Sequence, residues 1–346
     1  MMKPYISIVA ASRNDNHGEN MGKRMRMFVN GLIAQANKFK LPMELIIVEW
    51  NPPAGNALLH EVLPQPKAGD FLSLRYIIVP NEIHQQYRFA DKLPLYQMTA
   101  KNVGIRRAKA DFVLCTNVDV LFSNELMQHL VQKTLNKNSF YRANRCDIPA
   151  SVDESWSVEK QLEFGAHNII RRLGFDSELM NIGPIPEWIY NYRWLAKIIN
   201  RFSAMRRKRY FTPLELEFYS LDTKACGDFT MMHRDAWLKI QGYPELDLYS
   251  IHIDSMGVIA AKASGLIQVV FPPNACIYHI DHYNGWESMT ALEKVNFINQ
   301  KPGIGWDIVS ETAMQLLRDK TGYNFNKADW GFANNKFEEA GFNEFE

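Results

Sequence analysis

TAKNVGIRRAKADFVLCTNVD, running from Thr99 to Asp119, joins an amphipathic helix to a short apolar strand and ends on an acid. Phe112-Val113-Leu114-Cys115-Thr116 has the length and unbroken apolar character of a buried strand. It delivers Asn117 and Asp119 to the strand's carboxyl end, where open α/β sheets bind ligands. Asp119 is therefore the first candidate for a functional role.

Upstream, Tyr5 to Ala11 reads as a first strand, followed by the polar loop Ser12-Arg13-Asn14-Asp15. Met25, Phe28, Val29, Leu32, Ile33, Ala36 and Phe39 then recur at the spacing of one buried helix face. A second strand at Leu45 to Val48 closes on Glu49, and a third is predicted at Leu74 to Val79. Strand, helix and strand with continuously apolar strands mean βαβ units and a parallel sheet. Downstream, roughly residues 141–221 lack clear alternation of strands and helices. Order returns in CGDFTMMHRDAWLKIQGYPE (Cys226 to Glu245), where a helix from Arg234 to Gln241 is stopped by Gly242 and Pro244.

The bulk numbers narrow the classes. A 346-residue chain with 47% hydrophobic and 22% charged residues is ordinary globular material, and a net charge of +1 supplies no field for nucleic acid. Cys115, Cys146, Cys226 and Cys276 are scattered without zinc-site or disulfide-framework spacing, which fits a reducing cytoplasm. No stretch reaches the roughly 18 uninterrupted apolar residues of a membrane span, and Ile6 to Ala11 is too short for a secretory signal.

Two segments together resemble the GT-A glycosyltransferases. The first is the Thr99–Asp119 stretch, matching an A-x-N-x-G helix followed by a strand that ends in D-x-D; the second, Cys226 to Glu245, is similar to the acceptor-facing segment of galactosyltransferase-like members. The resemblance implies an α/β GT-A (Rossmann-like) fold with a mostly parallel central sheet flanked by helices, an irregular or helical insert and a C-terminal helical extension. In that layout residues 1–285 form the transferase domain, with a nucleotide-binding half at 1–120, an acceptor or lid insert at 141–221 and an acceptor and catalytic half at 222–285. Residues 286–346 are the helical extension packed on it. It implies transfer of a sugar from a nucleotide-sugar, UDP-linked for preference, to a glycan or lipid-linked acceptor. Inversion at the anomeric carbon is the first reading; a retaining transferase and a non-catalytic nucleotide- or sugar-binding relative are the alternatives.

The same resemblance assigns roles. Ala11, Ser12, Arg13, Asp15, Glu49, Lys101, Asn102, Asn117 and Asp119 would line the donor, with Glu49 on the ribose or base unless it is simply a solvated strand-end acid. Asp119, His279 and His282 would hold Mn²⁺ or Mg²⁺, although Asn117 stands where the family has the first acid of D-x-D and brings no charge. If Ala275 to His282 is one strand, His279 and His282 face opposite sides. Asp254 would be the general base or merely an N-cap, and Asp228 the alternative base or an acceptor hydrogen-bonder. Trp156 and Trp188 would stack on acceptor sugars, or serve as core. The basic, amphipathic stretch at 187–210 could touch an anionic membrane from the cytoplasmic side or be a solvated face.

Overall fold

The computed structural model describes residues 3–16, 18–174, 178–179, 183–184, 198, 210–282, 300–320 and 325–342. Strands β1 (Ile6–Ser12), β2 (Met43–Trp50), β3 (Leu72–Val79), β4 (Phe112–Thr116), β5 (Val120–Phe122), β6 (Ser139–Arg142) and β7 (Arg145–Ile148) occupy the first part of the chain. They are followed by β8 (Arg171–Leu173), β9 (Glu178–Leu179), β10 (Gly183–Pro184), β11 (Phe229–His233), β12 (Ile267–Val270), β13 (Ile277–Ile280) and β14 (Glu338–Phe342).

The large sheet has the order β12-β6-β11-β4-β1-β2-β3-β14. Its centre, β4-β1-β2-β3, is parallel as expected, and every residue of these strands is buried. That follows from helices on both faces. Ile6, Ile8 and Ala10 of β1 enter a core with the Met21–Phe39 helix, whereas Val9 and Ala11 enter the opposite core with the Gln97–Arg107 helix. The flanks are mixed: β11 runs antiparallel to β4 and β6, β12 is parallel to β6, and β14 is antiparallel to β3.

A second sheet, β5-β13-β7-β8, grows from the end of β4. Cys146, Ile148, Tyr278 and Ile280 turn one face of it into a satellite core. Alternation therefore sends Arg145, Asp147 and His279 to the other face.

Two sequence expectations change here. The C-terminal extension is not only helical: the Trp306–Asp319 helix packs on the Ile253–Ala263 helix, but β14 then pairs with β3 and becomes an edge strand of the large sheet. Arg75 helps to hold that strand, bridging buried Glu44 at 2.7 Å and Glu339 at 3.2 Å. The insert at 141–221 also contains more regular structure than its sequence suggests, namely β7, β8 and the Val158–His167 helix. β7 and β8 are only four and three residues long, too short to show a period.

The two family-like segments are bolted together through Asn102 and Gly242. Asn102 Nδ2 donates to the Tyr243 carbonyl at 2.8 Å and to Glu245 at 3.0 Å, while its Oδ1 accepts from the Tyr243 amide at 2.8 Å. Gly242 has φ +72°, and a Cβ there would lie 2.2 Å from Asn102 Oδ1, so the turn needs glycine twice over. Asn102 is fully buried, and its amide is occupied by this turn.

Gly104 lets the same helix press onto the sheet, since a Cβ there would lie 2.5 Å from Val9 Cγ1 and 3.3 Å from Val48 Cγ2. Alanine gains about 1 kcal/mol in helix propensity, but overpacking a rigid β-branched contact costs about 1–3 kcal/mol. Gly104→Ala is expected to lower the melting temperature by a few degrees in calorimetry; an unchanged or higher value would mean that the helix can lift off the sheet freely.

Candidate functional site

The carboxyl ends of β1, β2 and β4 lie side by side, with Ser12 opposite Glu49 in register. Just beyond β4 the chain places Asn117 and Asp119, and β5 carries it into the second sheet. There His279 sits opposite Val120 on one neighbour and opposite Asp147 on the other. These pairings bring residues from distant parts of the chain to one place.

Asp119, His279 and His282 form one cluster, in which one ligand-capable atom from each lies within 4.8 Å of the others. Both imidazoles turn Nε2 toward Asp119 Oδ2, each at 3.6 Å. The opposite-face expectation for His282 fails because β13 ends at Ile280; past the strand the chain curls back, leaving the two rings 5.3 Å apart. His279 Nδ1 faces Asp147 Oδ1 at 3.1 Å. Asp147 is in turn held by Arg145 and Arg171, each at 2.6 Å.

Charge in this cluster is strongly coupled. Burial works against ionisation of Asp119, but His279, then His282 and Arg24, hold its carboxyl well below the usual range. Burial and Arg145 oppose a charge on His279, yet the flanking Asp119 and Asp147 raise its pKa to about 9. Burial lowers His282 to about 4, with Asp119 opposing. One imidazole is thus paired with the carboxylates and the other is a neutral nitrogen donor.

A second group surrounds Lys101, whose side chain is wholly buried. Its ammonium donates to Asn117 Oδ1 at 2.9 Å and to the Gly227 carbonyl at 2.8 Å. Burial lowers its pKa, opposed by Cys115 and by the carboxylates of Asp228, Asp254 and Asp119. Asn117 also accepts from Gln97 at 2.9 Å and donates to Asp228 Oδ1. Arg145 binds Asp228 Oδ2 at 2.8 Å, so one guanidinium links the Asp228 group to Asp147 behind His279.

Asp254 belongs to the same neighbourhood, but not as an N-cap. The helix begins at Ile253 after His252, which is in the left-handed region at φ +68°, so Asp254 lies inside the first turn. Its Oδ2 accepts from the Gly227 amide at 2.7 Å and its Oδ1 from the Ser255 amide at 2.9 Å. It is half-buried and forms no salt bridge among the described residues, unlike Asp228, which is buried and held by Arg145.

The remaining expected residues are distributed as follows. Arg13 is tied to Asp15 at 2.9 Å and to the Pro94 carbonyl at 2.6 Å. Ser12 and Ala11 are buried in the strand, with Ser12 Oγ on Met25 Sδ at 3.3 Å. Glu49 is fully buried, accepting from the Leu59 amide at 2.8 Å to anchor the loop after β2. Trp156 packs with Phe164 and Lys160 against the satellite core, on the face of the second sheet away from His279. Trp188 and the 187–210 stretch lie outside the described residues apart from Ile198 and Tyr210, which are exposed. No described helix is long and apolar enough to cross a membrane.

Arg24, Gln97, Arg145 and Asp147 are site neighbours that sequence reading missed. Arg145-Cys146-Asp147 does carry a signal, charge alternating with a buried apolar residue, but three residues are too few to stand out. Arg24 and Gln97 carry none, because each reaches the site only through the fold.

No protein-family model matches the chain, and no curated protein matches it in sequence. Among solved structures the chain is similar to the crystal structure of S. aureus TarS 1-349, at 12% identity and a TM-score of 0.42. It is also similar to that protein in complex with UDP-GlcNAc, at 11% identity and a TM-score of 0.45. Each alignment covers 91% of this chain and 71% of the other.

Burial raises the Glu49 carboxyl to about 7, with the Leu59 amide opposing and Glu61 adding to the rise. The folded state thus holds this proton more tightly than the unfolded chain, whose Glu titrates near about 4.3. Stability from this group is complete below that value and is lost as pH rises through about 7. Glu49→Gln, neutral throughout, is expected to melt higher relative to wild type at pH 8 than at pH 4.5; an equal difference at both would mean that Glu49 ionises freely in the native state.

Proposed function

We propose that this chain is a glycosyltransferase of the GT-A type, using a nucleotide-sugar donor, UDP-linked for preference, and inverting the anomeric carbon. The observation that carries the reading is the convergence of Asp119, His279 and His282 beyond the carboxyl end of β4, beside a buried Lys101 surrounded by Asp228 and Asp254. The family-like segments of the sequence meet at this point. The acceptor, a glycan or lipid-linked hydroxyl, belongs to the same proposal. A panel of UDP-, GDP-, CMP- and dTDP-sugars with and without Mn²⁺ tests it by thermal shift: ligand bound only to the native state raises the melting temperature. Stabilisation selective for one nucleotide supports the reading, and no stabilisation by any of them defeats it.

The side chains of the cluster fit a divalent cation. Among the described residues Asp119 Oδ1 and His282 Nδ1 are buried without a hydrogen-bond partner, and two imidazoles with one carboxylate favour Mn²⁺ over Mg²⁺. Asp147 stands behind His279 as an outer carboxylate that fixes the ring and leaves Nε2 facing Asp119. When bound, such a cation supplies Lewis-acid neutralisation of the departing diphosphate. Asp119→Ala is expected to abolish Mn²⁺-dependent nucleotide binding, and Asp147→Asn to weaken it by about 10–100-fold. Calorimetry giving the same nucleotide affinity with and without Mn²⁺, in wild type and variants alike, would remove the metal from the proposal.

Inversion by direct displacement needs one carboxylate to take the acceptor proton. Asp254 suits that task better than Asp228: its oxygens accept from the Gly227 and Ser255 amides, and it is partly open to solvent. Asp228, clamped by Asn117 and Arg145, is better placed to hold an acceptor hydroxyl than to take its proton. Asp254→Asn retains one of the two amide bonds but loses the proton acceptor. With the donor found in the panel, its turnover should fall by about 10² to 10⁴, with a melting temperature within a few degrees of wild type. Full activity in this variant and its loss in Asp228→Asn would move the base to Asp228.

A further inference from the structure

The family pattern has an acid where this chain has Asn117, and restoring that acid would look like the way to complete a metal site. The contacts of Asn117 argue otherwise. Its Oδ1 accepts from Lys101 Nζ and Gln97 Nε2, each at 2.9 Å, which uses both lone pairs of that oxygen. Its Nδ2 donates to Asp228 Oδ1. The other Asp228 oxygen is held by Arg145 at 2.8 Å, and the Asp228 carbonyl accepts from Thr116 Oγ1 at 2.7 Å. Among the described residues each side-chain hydrogen bond of Asn117 therefore leads to Gln97, Lys101 or Asp228, and none to Asp119, His279 or His282.

We propose that Asn117 is a positioning residue that orients Asp228 through the polarity of its amide, and that an aspartate at 117 gains no hold on the metal cluster. The amide is the group that this place requires. It presents an acceptor to two donors on one side and a donor to a carboxylate on the other. An aspartate could still accept from Lys101 and Gln97, but it has no hydrogen for Asp228 and sets two like charges in contact. The metal part rests on the reading of Asp119, His279 and His282 given above; the positioning part does not.

A reciprocal exchange separates the two. In the double variant Asn117→Asp/Asp228→Asn, Asp at 117 accepts from Lys101, Gln97 and the new amide at 228, whose oxygen accepts from Arg145. Net charge and the number of hydrogen bonds are unchanged. In a double-mutant cycle the exchanged protein is expected to melt on the order of 4 °C or more above the sum of the two single-variant shifts. A purely space-filling residue would give additive shifts, and additivity overturns the proposal. An Asn117→Asp protein that does not fold while the exchanged one does supports it; an exchanged protein that does not fold while Asp228→Asn does overturns it.

Mn²⁺ titrated in the presence of saturating UDP supplies the second readout. Asn117→Asp, and Asn117→Ala should Asp228→Asn prove insoluble, are expected to bind Mn²⁺ within about three-fold of wild type, because second-sphere or ligand changes are worth about 10-fold or more. Ten-fold tighter binding by Asn117→Asp, or ten-fold weaker binding by Asn117→Ala, would make position 117 a ligand and overturn the proposal. A wild type that ignores Mn²⁺ altogether would instead defeat the metal reading, leaving the thermal cycle to decide the role of Asn117.

Discussion

Burying the Lys101 ammonium constrains the whole site. A charge taken out of water needs both hydrogen-bond acceptors and nearby negative charge, or it is lost to deprotonation. Asn117 Oδ1 and the Gly227 carbonyl meet the first need, and Asp228, Asp254 and Asp119 the second. Because those partners come from the end of β4, the approach to β11 and the start of the Ile253–Ala263 helix, one side chain ties together the elements that make the crevice.

The neighbouring residue on the same helix does the complementary work. Asn102 faces the core and pins the Gly242–Glu245 turn, while Lys101 faces the polar cluster. Two residues after Asn102, Gly104 sets how closely the helix lies on β1 and β2. The helix is therefore positioned by an amide clamp on one side, a glycine contact beneath and an ammonium on the other. Met98, Ala100, Val103 and Ile105 add apolar burial against the same core.

Arg145 joins the two halves of the candidate site. By binding Asp228 and Asp147 together it links the Lys101 group to the carboxylate behind His279. The second sheet exists in the right register for this because β13 pairs with β5 on one edge and β7 on the other. A change in the pairing of β13 by one residue would turn His279 into the satellite core and Tyr278 into the cluster. Register keeps His279 beside Asp119, and the curl after β13 returns His282 to it.

The parallel centre of the sheet is legible in the residues alone, because continuously apolar strands such as Phe112 to Thr116 fit only between two covered faces. So are the emergence of Asp119 at a strand's carboxyl end and the stop that Gly242 gives a helix. What those residues meet depends on how distant segments pack. Asn102 and Asn117 are the same residue type in one short segment, yet one became a core clamp and the other a partner of Lys101, because the helix face and the end of β4 point to different surroundings. Glu49, placed at a strand end as expected, was closed off by the loop anchored at Leu59. Arg145, Asp147 and the curl that returns His282 to Asp119 depend on pairings between segments more than a hundred residues apart, and no local pattern carries that information.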